Sequence, residues 1–339
     1  MTESYMTLQD TTPLSPALEK SAAKASEKLQ SAKAAIGTTV LGQETVVELA
    51  MTAILSGGHA LLVGVPGLAK TLLVETIGTV MGLDGKRIQF TPDLMPADII
   101  GSEVLEETAK GKRSFRFIPG PVFCQLLMAD EINRASPRTQ SALLQAMQEK
   151  FVTVAGARHD LPAPFHVLAT QNPIEQEGTY PLPEAQLDRF LFQINVDFPT
   201  LETERQILLA TTGASTAAAK GALTAKQLMD MQKLVRKLPV GETVLEAILT
   251  LVRNARPDNS PIDSIRKTVS WGPGPRAGQA LMLASRAKAL IEGRLSPSVD
   301  DVLELAEPVL QHRMALNFAA RADGLTMADT IASLKASLN

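Results

Sequence analysis

The chain has 339 residues, of which 45% are hydrophobic, so it is long enough to bury a core, and its length favours two domains. Its net charge of −3 and pI of about 5.9 give no general attraction for nucleic acid or for an anionic membrane. Aromatic residues make up only 4% of a composition rich in alanine and leucine, which favours helices over an all-β sandwich.

The first residues and the single cysteine indicate the compartment. Met1 to Tyr5 contains neither a basic region nor an apolar core, so we expect no signal peptide. No run approaches the ~20 apolar residues of a membrane span. Cys124 is the only cysteine, which excludes a disulfide within the chain and is typical of a reducing compartment. We therefore expect a cytoplasmic protein with Cys124 as an inert core residue.

Two helices are predicted before the first strand. Ser15 and Pro16 are typical of an N-cap and a first helical turn, and this helix should end at Gly37. A second amphipathic helix is predicted from about Glu44 to Leu55. On pattern alone, residues 40–43 between them are a turn.

A short apolar strand at 59–63 leads into a loop and then directly into a helix. Such a loop presents backbone N–H groups and the positive end of a helix dipole to one point, which suits a polyphosphate. Lys70 would add a charge at the terminal phosphates and Thr71 a hydroxyl for Mg²⁺. Ala69 stands where the second glycine of this P-loop pattern usually sits, and we expect it to adopt a helical conformation. The predicted nucleotide-binding residues here are Gly64, Val65, Pro66, Gly67, Leu68, Ala69, Lys70, Thr71 and Leu72.

A second motif follows downstream. Residues 91–120, with the charged run at 110–113, predict an exposed excursion after a strand at 87–90. Val122 to Asp130 is an apolar run that predicts a buried parallel strand ending on two carboxylates, at the edge where open α/β sheets bind ligands. Asp130 would hold Mg²⁺ and Glu131 would polarise the attacking water. With the P-loop, this pair predicts a magnesium-dependent NTPase.

Alternating strands and helices through residue 198 predict a doubly wound parallel sheet. After Pro199 the pattern is helical, with no strand candidate. The predicted domains are therefore 1–198 and 199–339. After Asp130, the first domain is expected to contain a helix from 137 to 149, a hairpin over 151–161, strands at 165–170 and 191–194, and a short helix at 184–190. The second domain is expected to contain helices at 202–211, 223–238, 243–253, 276–291 and 299–311.

Three polar residues have weaker signals. Asn172 ends a strand and would orient the same water, although asparagine before proline is also common turn chemistry. Arg189 and Arg276 are candidates for stabilising charge on a transferring phosphoryl group. From spacing alone, an ordinary surface arginine is the better interpretation of each.

Four motifs in their order resemble the MoxR branch of the AAA+ ATPases, and the likeness covers nearly the whole chain. They are GVPGLAKT at Gly64–Thr71, DEINRA at Asp130–Ala135, LPEAQLDRF at Leu182–Phe190 and GPRA at Gly274–Ala277. The family's loop resembles this one at Ala69. The resemblance implies an α/β P-loop AAA+ domain with a parallel sheet, followed by an all-helical lid domain.

The resemblance also implies roles for single residues. Lys70 and Thr71 are similar to the Walker A residues, and Asp130 and Glu131 to the Walker B pair, with Thr71 and Asp130 as Mg²⁺ ligands. Residues near 97–118 and 151–161 would face a central pore or a bound client. The other implied site residues are Val40, Gly42 and Gln43 around the adenine, Asn172 as sensor 1, Arg189 as an arginine finger for a neighbouring subunit, and Arg276 as sensor 2 in the lid.

The function implied is an ATP- and Mg²⁺-dependent, chaperone-like ring, hexameric by resemblance, that remodels client proteins, with von Willebrand factor A domain proteins among its partners. A finger supplied in trans is worth on the order of 10³–10⁵ in rate. Alternatives are a related motor on nucleic acid, a metal-chelatase subunit, or a nucleotide-gated scaffold. Low basicity and few aromatics argue against nucleic acid, and Glu131, Asn172 and Arg189 together argue against a scaffold. The four histidines lack the spacing of a zinc site.

Overall fold

The computed structural model describes residues 15–107, 113–175, 178–212 and 219–338. The predictions for residues 1–14 and 110–112 lie outside the described residues. The described strands are β1 Ala60–Val63, β2 Gly85–Gln89, β3 Gly101–Glu107, β4 Arg113–Pro119, β5 Leu126–Asp130, β6 Phe151–Val154, β7 Ala157–Asp160, β8 His166–Gln171, β9 Phe192–Asn195, β10 Val269–Trp271 and β11 Ala315–Leu316.

The helices follow the sequence pattern closely. Ser15 caps the first helix by accepting a hydrogen bond from the Leu18 N–H, and Ser136 caps the fifth in the same way. The helices are α1 Pro16–Gly37, α2 Glu44–Leu55, α3 Lys70–Met81, α4 Pro96–Ile100, α5 Pro137–Glu149, α6 Glu184–Leu187, α7 Leu201–Thr211, α8 Ala225–Val235, α9 Glu242–Asn254, α10 Asp263–Thr268, α11 Pro275–Ile291, α12 Val299–Leu310, α13 Phe318–Ala322 and α14 Met327–Ala336.

Five parallel strands form the central sheet, in the order β2-β5-β8-β1-β9. Ala60 at the start of β1 pairs with Leu168 of β8 on one side and with Phe192 of β9 on the other. The predicted parallel sheet is confirmed. Because all five strands run the same way, the carboxyl ends of β1, β5 and β8 lie side by side at one edge.

Both faces of the sheet are buried, and neighbouring residues along a strand belong to different cores. Leu61 and Leu127 face a core with α5, whereas Leu62 and Met128 face a core shared by α1, α2, α3 and the C-terminal helices. This explains why the strands read as continuous apolar runs rather than as alternating ones.

The strand that ends at Asp130 is shorter than the apolar run that predicted it. The strand starts at Leu126, not at Val122, because residues 121–125 form turns in which the Cys124 N–H donates to the Val122 carbonyl. Cys124 is fully buried, and burial raises the pKa of its thiol to about 12, as an inert core residue requires.

The exposed excursion has structure that the sequence did not predict. It contains α4 and the β3–β4 hairpin, which stands in solvent. The predicted second hairpin is present as β6–β7. The two hairpins touch, because the Phe117 ring stacks on the His159 ring at 3.8 Å.

The C-terminal part is helical, as expected, but it also contains an antiparallel ribbon of β10 and β11 that the pattern did not predict. Helix α11 of the C-terminal part packs against the first two helices of the chain. Ser26 and Gln30 of α1 both donate to the Ile291 carbonyl, and Lys288 of α11 pairs with Glu48 of α2 at 3.0 Å.

Within the described ranges, no helix has the length and apolar character needed to cross a bilayer.

Candidate active site

The loop between β1 and α3 has the backbone of a phosphate cradle. Gly64 has no room for a side chain, since a Cβ there would lie 2.6 Å from the Val196 carbonyl oxygen. Gly67 adopts a φ of 88°, in the region that favours glycine. The loop therefore turns tightly enough to aim the first N–H groups of α3 into the space above it.

Ala69 corrects one expectation. Its φ of 54° and ψ of 22° are left-handed, so the ordinary helical conformation predicted for it is wrong. Ala69 is the residue directly before α3, which begins at Lys70. For an alanine this conformation costs about 1–2 kcal/mol.

Lys70 lies folded onto the loop. Its Nζ donates to the carbonyls of Gly64 and, at 3.1 Å, of Val65. Burial lowers the pKa of Lys70, while the charges of Asp130 and Glu131 oppose that shift. Among the described residues, both hydrogen-bond acceptors of the Lys70 Nζ are loop carbonyls, so its charge is available to a negatively charged group placed in the cradle.

Asp130 ends β5 and is held from two sides. Its Oδ1 accepts a hydrogen bond from the Thr170 hydroxyl at 2.5 Å, and its Oδ2 accepts one from the Arg87 guanidinium at 2.6 Å. Thr170 comes from β8 and Arg87 from β2, the two strands that flank β5. The carboxylate is thus fixed at the sheet edge beside the cradle.

Glu131 is the next residue and has a left-handed φ of 55°. Its N–H donates to the Thr170 hydroxyl at 2.8 Å. Its carboxylate accepts a hydrogen bond from Gln89 at 2.6 Å and lies 3.0 Å from the Arg134 Nε. A left-handed residue is uncommon outside glycine and is found more often at functional sites.

Asn172 follows β8 and belongs to the same network. Its Nδ2 donates to Glu175 at 3.3 Å, and its Oδ1 accepts from the Ile174 N–H at 3.2 Å. Arg134 pairs with the same Glu175, and this pair lowers the pKa of Glu175. Asn172 and Glu131 are therefore linked through Arg134 and Glu175.

These groups share one cavity of about 420 Å³ at the sheet edge. Thr71 and Asp130 both line it, so a hydroxyl and a carboxylate are available to one cation. In the described ranges no three His, Cys, Asp or Glu side chains cluster as a metal site. A hydroxyl and one carboxylate still suit Mg²⁺, because this ion binds few protein ligands and keeps water and phosphate oxygens. The lining residues are Pro66, Gly67, Leu68, Ala69, Lys70, Thr71, Leu72, Asp130, Glu131, Thr170 and Asn172.

The turn predicted to hold adenine is connected to the loop. Gln43 donates through Nε2 to the Leu68 carbonyl at 2.9 Å, and Val40 is buried. Gly42 has a φ of 69° and contacts α7, since a Cβ at Gly42 would lie 2.1 Å from the Cγ2 of Thr203. The structure thus brings Gln43 against the P-loop, Gly42 against α7 and Val40 into the core.

The two predicted arginines lie elsewhere. Arg189 donates to the Leu144 carbonyl at 2.6 Å, and Arg276 lies 3.6 Å from the Asp188 carboxylate. Both line a separate cleft of about 250 Å³, whose lining shares no residue with the nucleotide cavity. Arg313 and Lys150 add two further cations to this cleft. One subunit therefore does not bring Arg189 or Arg276 to its own P-loop.

Sequence reasoning missed the partners of the two acids. Arg87 and Gln89 alternate along β2 and so point to one face of that strand, which was a usable signal once β2 was placed beside β5. Arg134 belongs to the DEINRA motif, which does not show what its side chain contacts. Thr170 and Glu175 carried no sequence signal, because each acts across the sheet edge.

Comparisons with known proteins agree with this geometry. The family model of the ATPase family associated with various cellular activities (AAA) matches residues 59–192, and the AAA lid domain model matches residues 264–334. Chaperone MoxR1 of Mycobacterium tuberculosis is 43% identical over 85% of this chain and 75% of its own length.

Further relatives extend the likeness. Protein MoxR of Paracoccus denitrificans is 30% identical over 86% of this chain and 89% of its own length. The crystal structure of a proposed ATPase from Cytophaga hutchinsonii superposes with a TM-score of 0.88 at 36% identity, over 95% of this chain and 98% of that one.

Proposed function

Since the chain belongs to the MoxR family of AAA+ ATPases, we propose that it is a Mg²⁺-dependent ATPase whose active sites are each completed by a neighbouring copy in a homo-oligomeric ring. The ring would be hexameric, and it would use ATP hydrolysis to remodel, assemble or activate client protein complexes. One relative carries the name chaperone. Proteins with von Willebrand factor A domains are the proposed partners, and the cytoplasm is the proposed compartment.

The observation that carries this proposal is the separation of the charged groups. Lys70, Asp130, Glu131 and Asn172 surround one cavity, whereas Arg189 and Arg276 lie in another cleft. The transferring phosphoryl group carries negative charge in the transition state, and an arginine placed beside it, in addition to Lys70, stabilises that charge. A second copy that presents its arginine cleft to the P-loop would supply this charge in trans.

Each residue then has a defined role. The loop N–H groups and Lys70 bind the β- and γ-phosphates, and Gln43 fixes the adenine turn against the loop. Thr71 and Asp130 would hold Mg²⁺, which when bound neutralises phosphate charge. Glu131 accepts a proton from the attacking water, whose position Asn172 fixes. Such a general base is worth roughly 10²–10⁴ in rate.

Asp130 would hold Mg²⁺ through water molecules bound to the ion. One oxygen of the Asp130 carboxylate must be free for this, so the Arg87 guanidinium either moves away or stays on the other oxygen. Oδ1 and Oδ2 accept from different donors, Thr170 and Arg87. Hence one oxygen remains fixed by Thr170 if the guanidinium leaves, and the carboxylate keeps its direction.

The test is steady-state ATP hydrolysis as a function of protein concentration, with Mg²⁺ present and particle mass followed by light scattering. We expect the rate per subunit to rise as rings form. A substantial rate per subunit that is constant in a monomer would overturn the proposal of shared sites.

A further inference from the structure

Helix α7 is an 11-residue helix in which no residue is buried. Its apolar side chains Leu201, Leu208 and Leu209 are 79%, 63% and 73% exposed. Helices of this length are marginal in water, and in proteins they depend on packing an apolar face. The described part of the chain supplies no such packing for these three leucines.

The helix has two distinct sides. Leu201 and Leu208 are seven residues apart and so share a stripe, with Leu209 at its border. Thr203 and Ile207, the partly covered residues, lie on the opposite side. Thr203 contacts Gly42, so the inner side of α7 rests on the turn beside the P-loop. The leucine stripe faces away from the described part of its own chain.

We propose that this stripe, Leu201, Leu208 and Leu209, docks on the next copy of the chain in the ring, beside that copy's cleft with Arg189 and Arg276. The inference rests on the proposed function, which requires the next copy to reach the nucleotide cavity. α7 is connected to that cavity by contacts: Thr203 meets Gly42, and the next residue, Gln43, donates to the carbonyl of Leu68, which lines the cavity. A neighbour that closes the site therefore comes close to the stripe.

Charge is partly complementary across such a contact. Glu202 and Glu204 lie in the first turn of α7 beside the stripe. Arg205 lies within the stripe, four residues from both Leu201 and Leu209, so this end of the helix carries two carboxylates and one cation. The arginine cleft contains one carboxylate and four cations. The four cations are Lys150, Arg189, Arg276 and Arg313.

Exposed apolar side chains also lie close in sequence to two cations of the cleft, Arg276 and Arg313. Trp271 ends β10 just before the loop that leads to Arg276 and is 37% exposed. Phe318 follows β11, the partner strand of β10, and is almost entirely exposed. The β10–β11 ribbon of the next copy therefore offers both of these side chains to the leucines of α7.

Two substitutions on opposite sides of the same helix test the proposal. Leu208→Asp places a carboxylate in the stripe. Gln206→Asp places the same carboxylate outside it, at a residue with no part in nucleotide binding. Leu201→Asp is a second stripe variant that does not weaken the helix, because Leu201 is its first residue and acids are favoured there.

Ring formation of the full chain with Mg²⁺ and ATPγS is measured by sedimentation velocity, and binding of fluorescent ADP is measured alongside. Leu208→Asp and Leu201→Asp should raise the concentration for half-maximal assembly by at least about tenfold, as expected for an interface anchor. Gln206→Asp should change it by less than about twofold, and ADP affinity should stay within about threefold for all variants.

Two results would overturn the docking of α7. One is wild-type assembly by both leucine variants, and the other is a loss of ADP affinity that accounts for their assembly defect. A wild-type chain that hydrolyses ATP as a monomer would instead remove the proposed shared site itself, so the two failures are distinguishable.

Discussion

At the scale of single residues, the carboxylate of Glu131 is held in place by defined hydrogen-bond and ion-pair partners. Its backbone is left-handed, and its carboxylate is held by Gln89 of β2 and by Arg134 of the turn after β5. Its own N–H donates to Thr170 of β8. The position of the proposed base is therefore set by three parts of the chain.

Glu131→Gln should retain nucleotide affinity and lose about 10²–10⁴ of turnover, because the amide cannot accept the proton of the attacking water. The change keeps the volume of the side chain and its acceptor for Gln89. Single-turnover hydrolysis and fluorescent ADP binding measure the two effects separately. Normal hydrolysis in this variant would remove Glu131 as the base.

Ala69→Gly should stabilise the protein by roughly 0.5–1 kcal/mol, because glycine adopts the left-handed φ of 54° without a Cβ clash. Urea unfolding of the two proteins measures the difference. The control is Ala332→Gly at an exposed site within α14. Glycine should cost about 1 kcal/mol there, since that alanine is in a right-handed helix. Equal effects at both sites would contradict the strain at Ala69.

At the scale of elements, two buried histidines join the sheet to the helices around it. His59 accepts from the Val167 N–H at 2.9 Å through Nδ1 and contacts the Met147 carbonyl of α5 through Nε2. His166 contacts the Gly58 carbonyl through Nδ1 and Gln232 of α8 through Nε2. Each ring thus uses one nitrogen as acceptor and the other as donor, which only the neutral form can do.

Acid should destabilise the protein through these two rings. Burial lowers the pKa of His59 to about 3 and that of His166 to about 4, and the nearby Lys150 acts in the same direction. Because unfolded histidine has a pKa of about 6.5, the unfolded chain binds more protons below that pH, and stability falls as pH falls from about 6.5 toward the folded values. The loss should be on the order of 2 kcal/mol per ring between pH 8 and pH 5.

Urea unfolding at pH 8, 7, 6 and 5 measures this dependence. His166→Asn retains a donor for the Gly58 carbonyl and has no titrating group, so it should remove about 2 kcal/mol of the loss between pH 8 and pH 5. The buried His312, whose pKa burial also lowers, contributes equally in both proteins. Imidazole resonances of either ring that titrate near pH 6.5 in the folded protein would contradict the prediction.

At the scale of the whole molecule, the separation of the two clefts predicts complementation between defective subunits. Glu131→Gln subunits lack the base but have Arg189, and Arg189→Ala subunits have the base but lack the finger. In rings mixed at equal amounts, about a quarter of the interfaces combine an intact base with an intact finger, so activity should recover to about a quarter of the wild-type value.

The control for this mixing carries both substitutions in one chain and is mixed with either single variant. No interface then combines an intact base with an intact finger, and no recovery is expected. ATPase rates after mixing, with subunit exchange followed by fluorescence transfer, measure the effect. Failure to recover despite exchange would mean that Arg189 serves its own subunit.

The sequence by itself determined those parts whose chemistry lies in contiguous residues. The P-loop from Gly64 to Thr71, the acids Asp130 and Glu131, and the helix caps at Ser15 and Ser136 are local patterns, because phosphate cradles and caps are built from neighbouring backbone groups. For the same reason the bounds of α2 and α5 were predicted from periodicity, and the parallel sheet followed from alternation of elements.

Only the tertiary structure decided the rest. Gln89, Thr170 and Arg134 meet the acids because β2 and β8 flank β5 in the sheet, an order that no local pattern encodes. The ribbon of β10 and β11 joins strands of three and two residues, too short to show periodicity. The motifs around Arg189 and Arg276 do not show where these side chains lie, since their location depends on how the C-terminal helices pack on the sheet. That packing is set by burial of apolar faces far apart in the chain, which brings the arginines together in their own cleft and away from the site they would serve.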